Sequence, residues 1–288
     1  MELIYDYMKD DEYRHKLNEL TKKTFGFSFE NWVTNGYFEG DYIPYSYLEG
    51  DKIICNVSAN RMDFLQNGVE KHYIQIGTVM TDEAYRRQGL AGKLLRYVVE
   101  QYEGKCDGIY LFGDLSALGF YEKAGFSQLS EYRYLLKEGA VSKAASRGFV
   151  SMQESRRAQY LETVRRGAVY SALEQTNKFG LQLFYTASLG NVYYHPQLNC
   201  FAVLEKEGDT LVLQSVISKK KLPLQDVISQ LGSDFDRLML GFTPLEEERE
   251  LFTAEIYNGG DDYRLFYRGE QLKSIEKEEL YFPQLSHA

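Results

Sequence analysis

The sequence predicts an α/β (α+β) fold in two lobes, each with a mixed central sheet flanked by helices. Three observations carry this prediction. The chain has 288 residues, a length that favours two domains at roughly 100–200 residues each. In the first half, the hydrophobic pattern runs hairpin, helix, strand, helix, strand. The second half repeats the order hairpin, helix, strand and late strand, with little similarity between the residues themselves.

The first predicted domain covers residues 1–138. Its elements are strands at 52–64 and 71–80, a helix from 90 to 102, a strand at 108–113, a short helix before Gly125 and a strand at 132–136. Asn67-Gly68 between the first two strands is typical of a hairpin turn. The helix follows from apolar residues at a period of 3.6.

The second predicted domain covers residues 149–288 and follows a linker of small residues at 139–148. Its elements are a helix around 161–172, strands at 200–206 and 210–218, a helix at 223–231 and strands at 237–242 and 263–268. Pro at the first turn of the second helix is a favoured position. This order indicates a degenerate copy of the first domain.

Composition excludes several classes of protein. The chain is 44% hydrophobic and 26% charged, which is typical of a globular protein. It has no apolar run long enough to span a membrane and no signal-peptide pattern. Three cysteines without a CxxC pair suit a reducing compartment, so we expect a cytoplasmic protein. Four histidines without ligand-like spacing argue against a metal, and the net charge of -9 argues against nucleic acid.

The segment 86–92, RRQGLAG, lies between the strand at 71–80 and the following helix. Glycine and alanine at the start of a helix leave its first N–H groups uncovered. Those amides and the helix dipole suit a pyrophosphate, and Arg86 and Arg87 add positive charge. Taken alone, the pattern is weak evidence, because a glycine near a helix N-terminus is usually just a turn.

A second motif, FYEKAGF at 120–126, follows the strand at 108–113. Together the two motifs resemble the GCN5-related N-acetyltransferase (GNAT) family, in which an R/Q-x-x-G-x-G/A loop follows the fourth strand. A Tyr-x-x-x-Gly-Phe motif ends the acetyl-CoA site of that family. The tandem arrangement also resembles the enhanced-intracellular-survival acetyltransferases, without their sterol-carrier-like domain. The second lobe has neither motif, so we expect it to lack a cofactor site.

The resemblance implies two GNAT-like lobes and an N-acetyltransferase that moves an acetyl group from acetyl-CoA to a primary amine by direct attack in a ternary complex. It implies that Tyr121 is the general acid, since a phenol stays protonated at neutral pH. The residues implied to bind acetyl-CoA are Val79, Met80, Thr81, Arg86, Arg87, Gln88, Gly89, Leu90, Ala91, Gly92 and Asp114. The alternatives are a non-catalytic acyl-CoA-binding or regulatory module, and a Tyr121 that only packs in the core.

Two positions depart from the family pattern. Asp114 stands where many members carry Asn, and a carboxylate cannot donate that hydrogen bond. The strand 74–80 contains Gln75 but no acid to act as general base. In the tandem subgroup the C-terminal carboxylate reaches the active site, and this chain ends in an apolar tail. We therefore expect the Ala288 carboxylate, or His287, to orient or deprotonate the amine; the alternative is a tail packed on its own lobe.

An aromatic-rich stretch at 25–47 is expected to form a wall of the acceptor pocket. Its rings and carboxylates suit an apolar, cationic amine, either a small molecule or a lysine side chain. The candidate pocket residues are Glu30, Tyr37, Tyr42 and Tyr45. Core packing is the expectation for Phe25, Phe27 and Trp32. The resemblance to the tandem subgroup also leaves room for a homo-oligomer.

Overall fold

The protein is described by a computed structural model that covers residues 1–142, 144 and 147–288. The first half contains strands and helices in this chain order: β1 (Glu2–Tyr5), α1 (Asp11–Phe25), α2 (Glu30–Thr34), β2 (Tyr42–Glu49), β3 (Lys52–Gln66), β4 (Val69–Thr81), α3 (Leu90–Tyr102), β5 (Gly108–Asp114), α4 (Leu118–Lys123), β6 (Ser127–Leu129) and β7 (Glu131–Leu136). All the elements predicted for this half are present, and three strands, β1, β2 and β6, are additional.

The second half is built from shorter elements. They are β8 (Val150–Ser151), α5 (Arg157–Arg166), β9 (Leu173–Gln175), α6 (Phe179–Thr186), β10 (Val192–His195), β11 (Cys200–Glu207), β12 (Thr210–Ile217), α7 (Leu224–Ser229), β13 (Arg237–Leu240), β14 (Phe252–Tyr257), β15 (Tyr263–Arg268) and α8 (Ser274–Lys277). Of the predicted linker at 139–148, residues 143, 145 and 146 lie outside the described residues.

Two mixed sheets form the centres of two lobes. The larger sheet has eight strands, seven of them in the order β1-β2-β3-β4-β5-β15-β6, with β9 paired to β3. The smaller sheet has seven strands in the order β14-β7-β13-β12-β11-β10-β8. Each sheet contains one parallel pair, β4 with β5 and β12 with β13, among antiparallel neighbours. The mixed α/β fold with two lobes agrees with the prediction.

The two sheets exchange strands. β15, from the second half, lies between β5 and β6 of the larger sheet and pairs with both. β7, from the first half, lies between β13 and β14 of the smaller sheet. The strand at 132–136 therefore does not close the sheet of the first lobe. The boundaries at 138 and 149 remain predictions, but hydrogen bonding crosses them in both directions.

Helices cover both faces of the larger sheet. Ile53 of β3 packs in a core cluster with Leu17 of α1, whereas the next residue, Ile54, packs with Leu94 of α3. This alternation is the period of two that a strand imposes on its side chains. Among the described residues, no helix is long and apolar enough to cross a membrane.

Candidate active site

A cavity of about 380 Å³ opens between the two lobes. It is formed by β4, β5 and α4 of the larger sheet's lobe, by α1 and α2, by α6 from the second half and by the C-terminal tail. Val79, Asp114, Tyr121, Tyr42 and Ala288 all line it. Five residues that were predicted for three roles, in cofactor binding, catalysis and the acceptor pocket, are thus brought together.

Strand β4 bulges where it borders the cavity. The register with β3 shifts by one residue, so that Val57 alone opposes Thr78 and Val79. Thr78 has a φ of 37°, which a β-branched residue rarely adopts. Buried Asn56 holds this conformation, because its Nδ2 donates to the Thr78 carbonyl oxygen at 2.9 Å and to Oγ1 at 3.1 Å. A bulge frees backbone groups from the ladder, and here it does so beside the cavity.

The C-terminal tail fills a gap between β4 and β5. These strands pair in parallel over only three positions, ending at Gln75 and Tyr110. Just beyond, Gln75 Nε2 donates to the Ala288 oxygen at 3.1 Å. The same oxygen lies 2.6 Å from the position that a Cβ on Gly77 would take. The absence of a side chain at residue 77 therefore permits the close approach of the tail.

His287 fixes the last turn of the tail in the cavity wall. Its ring stacks on Phe112 with centroids 3.7 Å apart, and its carbonyl oxygen accepts a hydrogen bond from the Tyr185 hydroxyl. Burial lowers the pKa of His287 to about 3, so the imidazole is neutral at neutral pH. Its Nε2 is buried without a hydrogen-bond partner among the described residues.

Tyr121 lies on α4 with only 7% of its surface exposed. Its ring packs against Gly113 and Phe266, and burial raises the pKa of its hydroxyl to about 12. The phenol is therefore protonated throughout the physiological range and can donate a hydrogen bond. Asp114 at the end of β5 accepts a hydrogen bond from the Ser116 N–H at 2.7 Å, and hydrogen bonding to Ser116 lowers the pKa of its carboxyl.

The start of α3 has the features of an anion site. Gly89 at the N-cap has a φ of 76° and makes no side-chain capping bond, and Arg87 also has a positive φ of 63°. The first amides of the helix therefore have no side-chain acceptor. Arg86, Arg87 and Gln88 are exposed around them, whereas Leu90 and Met80 are buried in the core. Ala91 and Gly92 lie in the first turn, and Thr81 ends β4.

The pocket wall differs from the expectation at three positions. Glu30 pairs with the buried Arg14 through two hydrogen bonds of 3.0 and 3.1 Å, which lower its pKa. The Tyr37 hydroxyl accepts a hydrogen bond from Arg157, and the Tyr45 hydroxyl lies 2.9 Å from that of Tyr102. None of these three side chains lines the cavity, because each is drawn to a partner elsewhere.

The aromatic residues expected in the core, Phe25, Phe27 and Trp32, also border the cavity. Trp32 is buried in a core cluster against which Phe27 packs, as expected, whereas Phe25 is 49% exposed. The second half, expected to wall off the acceptor pocket, contributes Phe184 and Tyr185 of α6, two residues that were not predicted individually. The only signal for them was the Phe-Tyr pair near the end of a short apolar helix.

Comparison with known proteins bears on the first half of the chain. Residues 2–126 match the acetyltransferase (GNAT) family. This part of the chain is therefore similar to a GNAT domain. This match supports acyl transfer as its class of reaction. No curated protein matches the sequence.

Solved structures share the two-lobed fold of this chain. A conserved protein of unknown function from Enterococcus faecalis V583, described as a probable N-acyltransferase, aligns with a TM-score of 0.56 and 15% identity over 94% of this chain and 74% of its own. Eis1 from Mycobacterium abscessus aligns with a TM-score of 0.55 and 11% identity over 92% of this chain and 73% of its own. A GCN5-related N-acetyltransferase from Kribbella flavida aligns with a TM-score of 0.52 and 15% identity over 94% of this chain and 72% of its own. The two-lobed, GNAT-like architecture is therefore shared along nearly the whole chain.

The described residues contain no group of three or more His, Cys, Asp and Glu side chains that could hold a metal ion. The residues around the β4 bulge fit a pantetheine thioester. Uncapped amides and two arginines lie at the start of α3, the freed backbone of the bulge follows, and Tyr121 stands on the next helix.

Proposed function

We propose that this protein is an N-acetyltransferase that uses acetyl-CoA and a primary amine in a ternary complex. The observation that carries the proposal is the meeting of the β4 bulge, Tyr121 and Ala288 in one cavity. Acetyl-CoA supplies the activated acetyl group as a thioester. We assign the protein to the tandem subgroup that resembles the enhanced-intracellular-survival acetyltransferases, and place it in the cytoplasm.

The start of α3 is proposed to bind the pyrophosphate. Arg86, Arg87 and Gln88 surround the site with donors, and the amides of Gly89 to Gly92 point along the helix dipole. Val79, Met80 and Thr81 of the strand are proposed to align the pantetheine arm by backbone hydrogen bonds. Asp114 faces the cavity as an acceptor only.

Three groups are proposed to act on the reacting atoms. The amide of Val79 or Met80 donates to the acyl oxygen, where negative charge develops. Ala288 accepts a hydrogen bond from the amine and orients it. Tyr121 gives its phenolic proton to the departing sulfur as the amine nitrogen replaces that sulfur on the acyl carbon. The ammonium group first loses one proton to solvent so that its lone pair can attack, and the nitrogen loses a second proton to solvent as the amide forms. Tyr121 takes one proton back from solvent, so that one proton is released in all.

His287 is a poorer candidate than Ala288 for the contact with the amine. Its pKa of about 3 means that the imidazole holds almost no proton at neutral pH, and its ring is engaged with Phe112. Removing residues 286–288 is expected to lower turnover and leave acetyl-CoA binding intact. Unchanged turnover in the truncated protein would reduce the tail to a packing element.

The replacement Tyr121→Phe tests the proposed chemistry. It removes one hydroxyl and keeps the ring against Gly113 and Phe266. Loss of a general acid lowers turnover by about 10²–10⁴-fold. We therefore expect CoA release to fall by that factor, while the dissociation constant of acetyl-CoA in calorimetry stays within twofold. Equal turnover in both proteins would remove Tyr121 from the mechanism.

A non-catalytic acyl-CoA-binding module is the second candidate. The absence of an acid in residues 74–80 of β4, where Gln75 contacts the tail instead, favours it. Under this alternative, acetyl-CoA binds with measurable affinity but no amine in a broad panel accelerates CoA release. Thiol detection with a panel of diverse amines separates the two.

A further inference from the structure

The acceptor side of the cavity is dominated by aromatic rings from both lobes. Phe184 of α6 lies at their centre, with its ring centroid 5.4 Å from that of Phe27, 6.0 Å from Phe29 and 5.7 Å from Trp32. The rings meet edge-on or tilted, the geometries that aromatic pairs prefer. The wall is therefore a packed apolar surface that faces the cavity.

A hydrogen bond between the lobes holds this wall in shape. Trp32 Nε1 donates to the Gly180 carbonyl oxygen at 2.7 Å, which ties α2 to the first turn of α6. A Cβ at residue 180 would come within 3.1 Å of the Tyr37 carbonyl oxygen, so the two segments are in close contact. A wall fixed in this way is preformed and costs little to organise when a ligand binds.

Glu39, Asp41 and Asp114 border the cavity, and Glu39 is held in an ion pair of 2.5 Å with Arg165. Asp114 accepts the Ser116 N–H at 2.7 Å. Burial raises the pKa of the Asp41 carboxyl, and Arg61 on the same rim lowers it. The aromatic wall offers no acceptor, so a ligand with several ammonium groups would lose the hydration of those that lie against the rings.

We propose that the acceptor is an arylalkyl primary amine that carries a single positive charge, and not a polyamine or an aminoglycoside. The inference rests on the proposed acetyl transfer and assigns the substrate class of that same site. The aromatic wall takes the apolar body of the amine, and the nitrogen reaches toward Ala288. The cavity volume of about 380 Å³ lies at the small end of the range for ligand sites, which suits one small amine beside a thioester.

Binding can be read without turnover, because Trp32 is the only tryptophan of the chain and borders the cavity. Tryptamine is unsuitable for this readout because it fluoresces itself, so 2-phenylethylamine is titrated against spermidine and kanamycin, with and without CoA. We expect 2-phenylethylamine to change the Trp32 emission at concentrations at least tenfold lower than either polycation. Tighter binding of spermidine or kanamycin would overturn the proposal.

Two matched substitutions on α6 locate the effect. Phe184→Leu removes ring surface from the cavity wall, whereas Phe179→Leu makes the same change at a buried ring that faces Tyr37 and does not line the cavity. Loss of apolar contact in a pocket costs about tenfold or more in specificity. We expect Phe184→Leu to raise KM and the half-saturation of Trp32 emission for 2-phenylethylamine about tenfold, and Phe179→Leu to change both less than twofold. Equal effects of the two variants would overturn the proposal.

Failure of this inference differs from failure of the proposed function. Rapid CoA release with spermidine or kanamycin, and slow release with 2-phenylethylamine, would keep the acetyltransferase and overturn the arylalkylamine. Binding of 2-phenylethylamine without CoA release from any amine would keep the assigned ligand class and overturn acetyl transfer.

Discussion

Gly77→Ala is the substitution that tests most sharply whether the tail must lie in the active site. Residue 77 is in β4, directly below the last residue of the chain. A Cβ there would lie 2.6 Å from the Ala288 oxygen and 3.0 Å from the Ala288 carbonyl carbon and from Asn60 Nδ2. Ordinary van der Waals contact begins at 3.4 Å, so the Ala288 oxygen must move by about 0.8 Å.

The size of this movement sets the expected effect. Displacing a group that positions the reacting atoms by about 1 Å lowers the rate by about 10²-fold. We therefore expect kcat of Gly77→Ala to fall between about 10- and 100-fold. Acetyl-CoA binding should change little, because the start of α3 lies outside the cavity that the tail borders. The Gln75–Ala288 hydrogen bond of 3.1 Å should lengthen or break at the same time.

The assay compares three proteins in CoA release with a fixed amine and in calorimetric titration with acetyl-CoA. Gly190→Ala is the control, because a Cβ there would meet only the Ser188 Oγ at 3.8 Å and φ is not positive. We expect Gly190→Ala to match the wild type in both measurements. Wild-type kcat in Gly77→Ala would refute the role given to Ala288.

Further predictions concern two buried polar residues. Burial raises the pKa of Glu131 from 4.5 to about 8. The contribution of this group to the free energy of unfolding is therefore fully present below pH 4.5 and is lost as the pH rises to about 8. The loss amounts to at most roughly 5 kcal/mol. Glu131→Gln should therefore unfold at a higher temperature than wild type at pH 8.5 but not at pH 4.5; the same difference at both would contradict this. Asn56→Ala leaves the Thr78 carbonyl oxygen without its donor, which costs about 1–3 kcal/mol. We expect Asn56→Ala to have a lower midpoint in chemical denaturation and to bind acetyl-CoA more weakly. Wild-type affinity for acetyl-CoA in this variant would show that Asn56 is not needed to keep the bulge in its binding conformation.

The helices and strands of the first half could be predicted because each depends on the hydrophobic pattern of a short stretch of sequence. The helix α3 begins at Leu90 and ends at Tyr102, where the period of 3.6 begins and ends. The buried strand β5 and the short helix that carries Tyr121 follow in the same way. The motif residues that meet at the cavity were found because they lie on these elements.

The exchange of β7 and β15 could not be predicted, since a period of two identifies a strand and its buried face but not its neighbours. The pattern of Tyr263–Arg268 is satisfied in either sheet, and the structure pairs it with β5. The helix expected around 161–172 ends at Arg166, where Gly167 is extended.

The composition of the acceptor wall could not be predicted for a related reason. An aromatic residue beside a cavity has the same sequence environment as one in a core. Its tertiary contacts decide in which of the two places its ring lies. Tyr45 pairs with Tyr102 on α3, and Tyr37 with Arg157 on α5. Phe184 reaches the cavity from the opposite lobe, more than a hundred residues away from the rings that it contacts.

Mass spectrometry of the amine after incubation with acetyl-CoA shows directly whether the protein transfers acetyl groups. We expect wild-type protein to convert 2-phenylethylamine to its N-acetyl derivative, with one CoA thiol released for each amide formed. We expect Tyr121→Phe to yield about 10²–10⁴-fold less product in the same time while it binds acetyl-CoA equally well. Tight acetyl-CoA binding by the wild type, with no acetylated product from any amine in the panel, would contradict acetyl transfer.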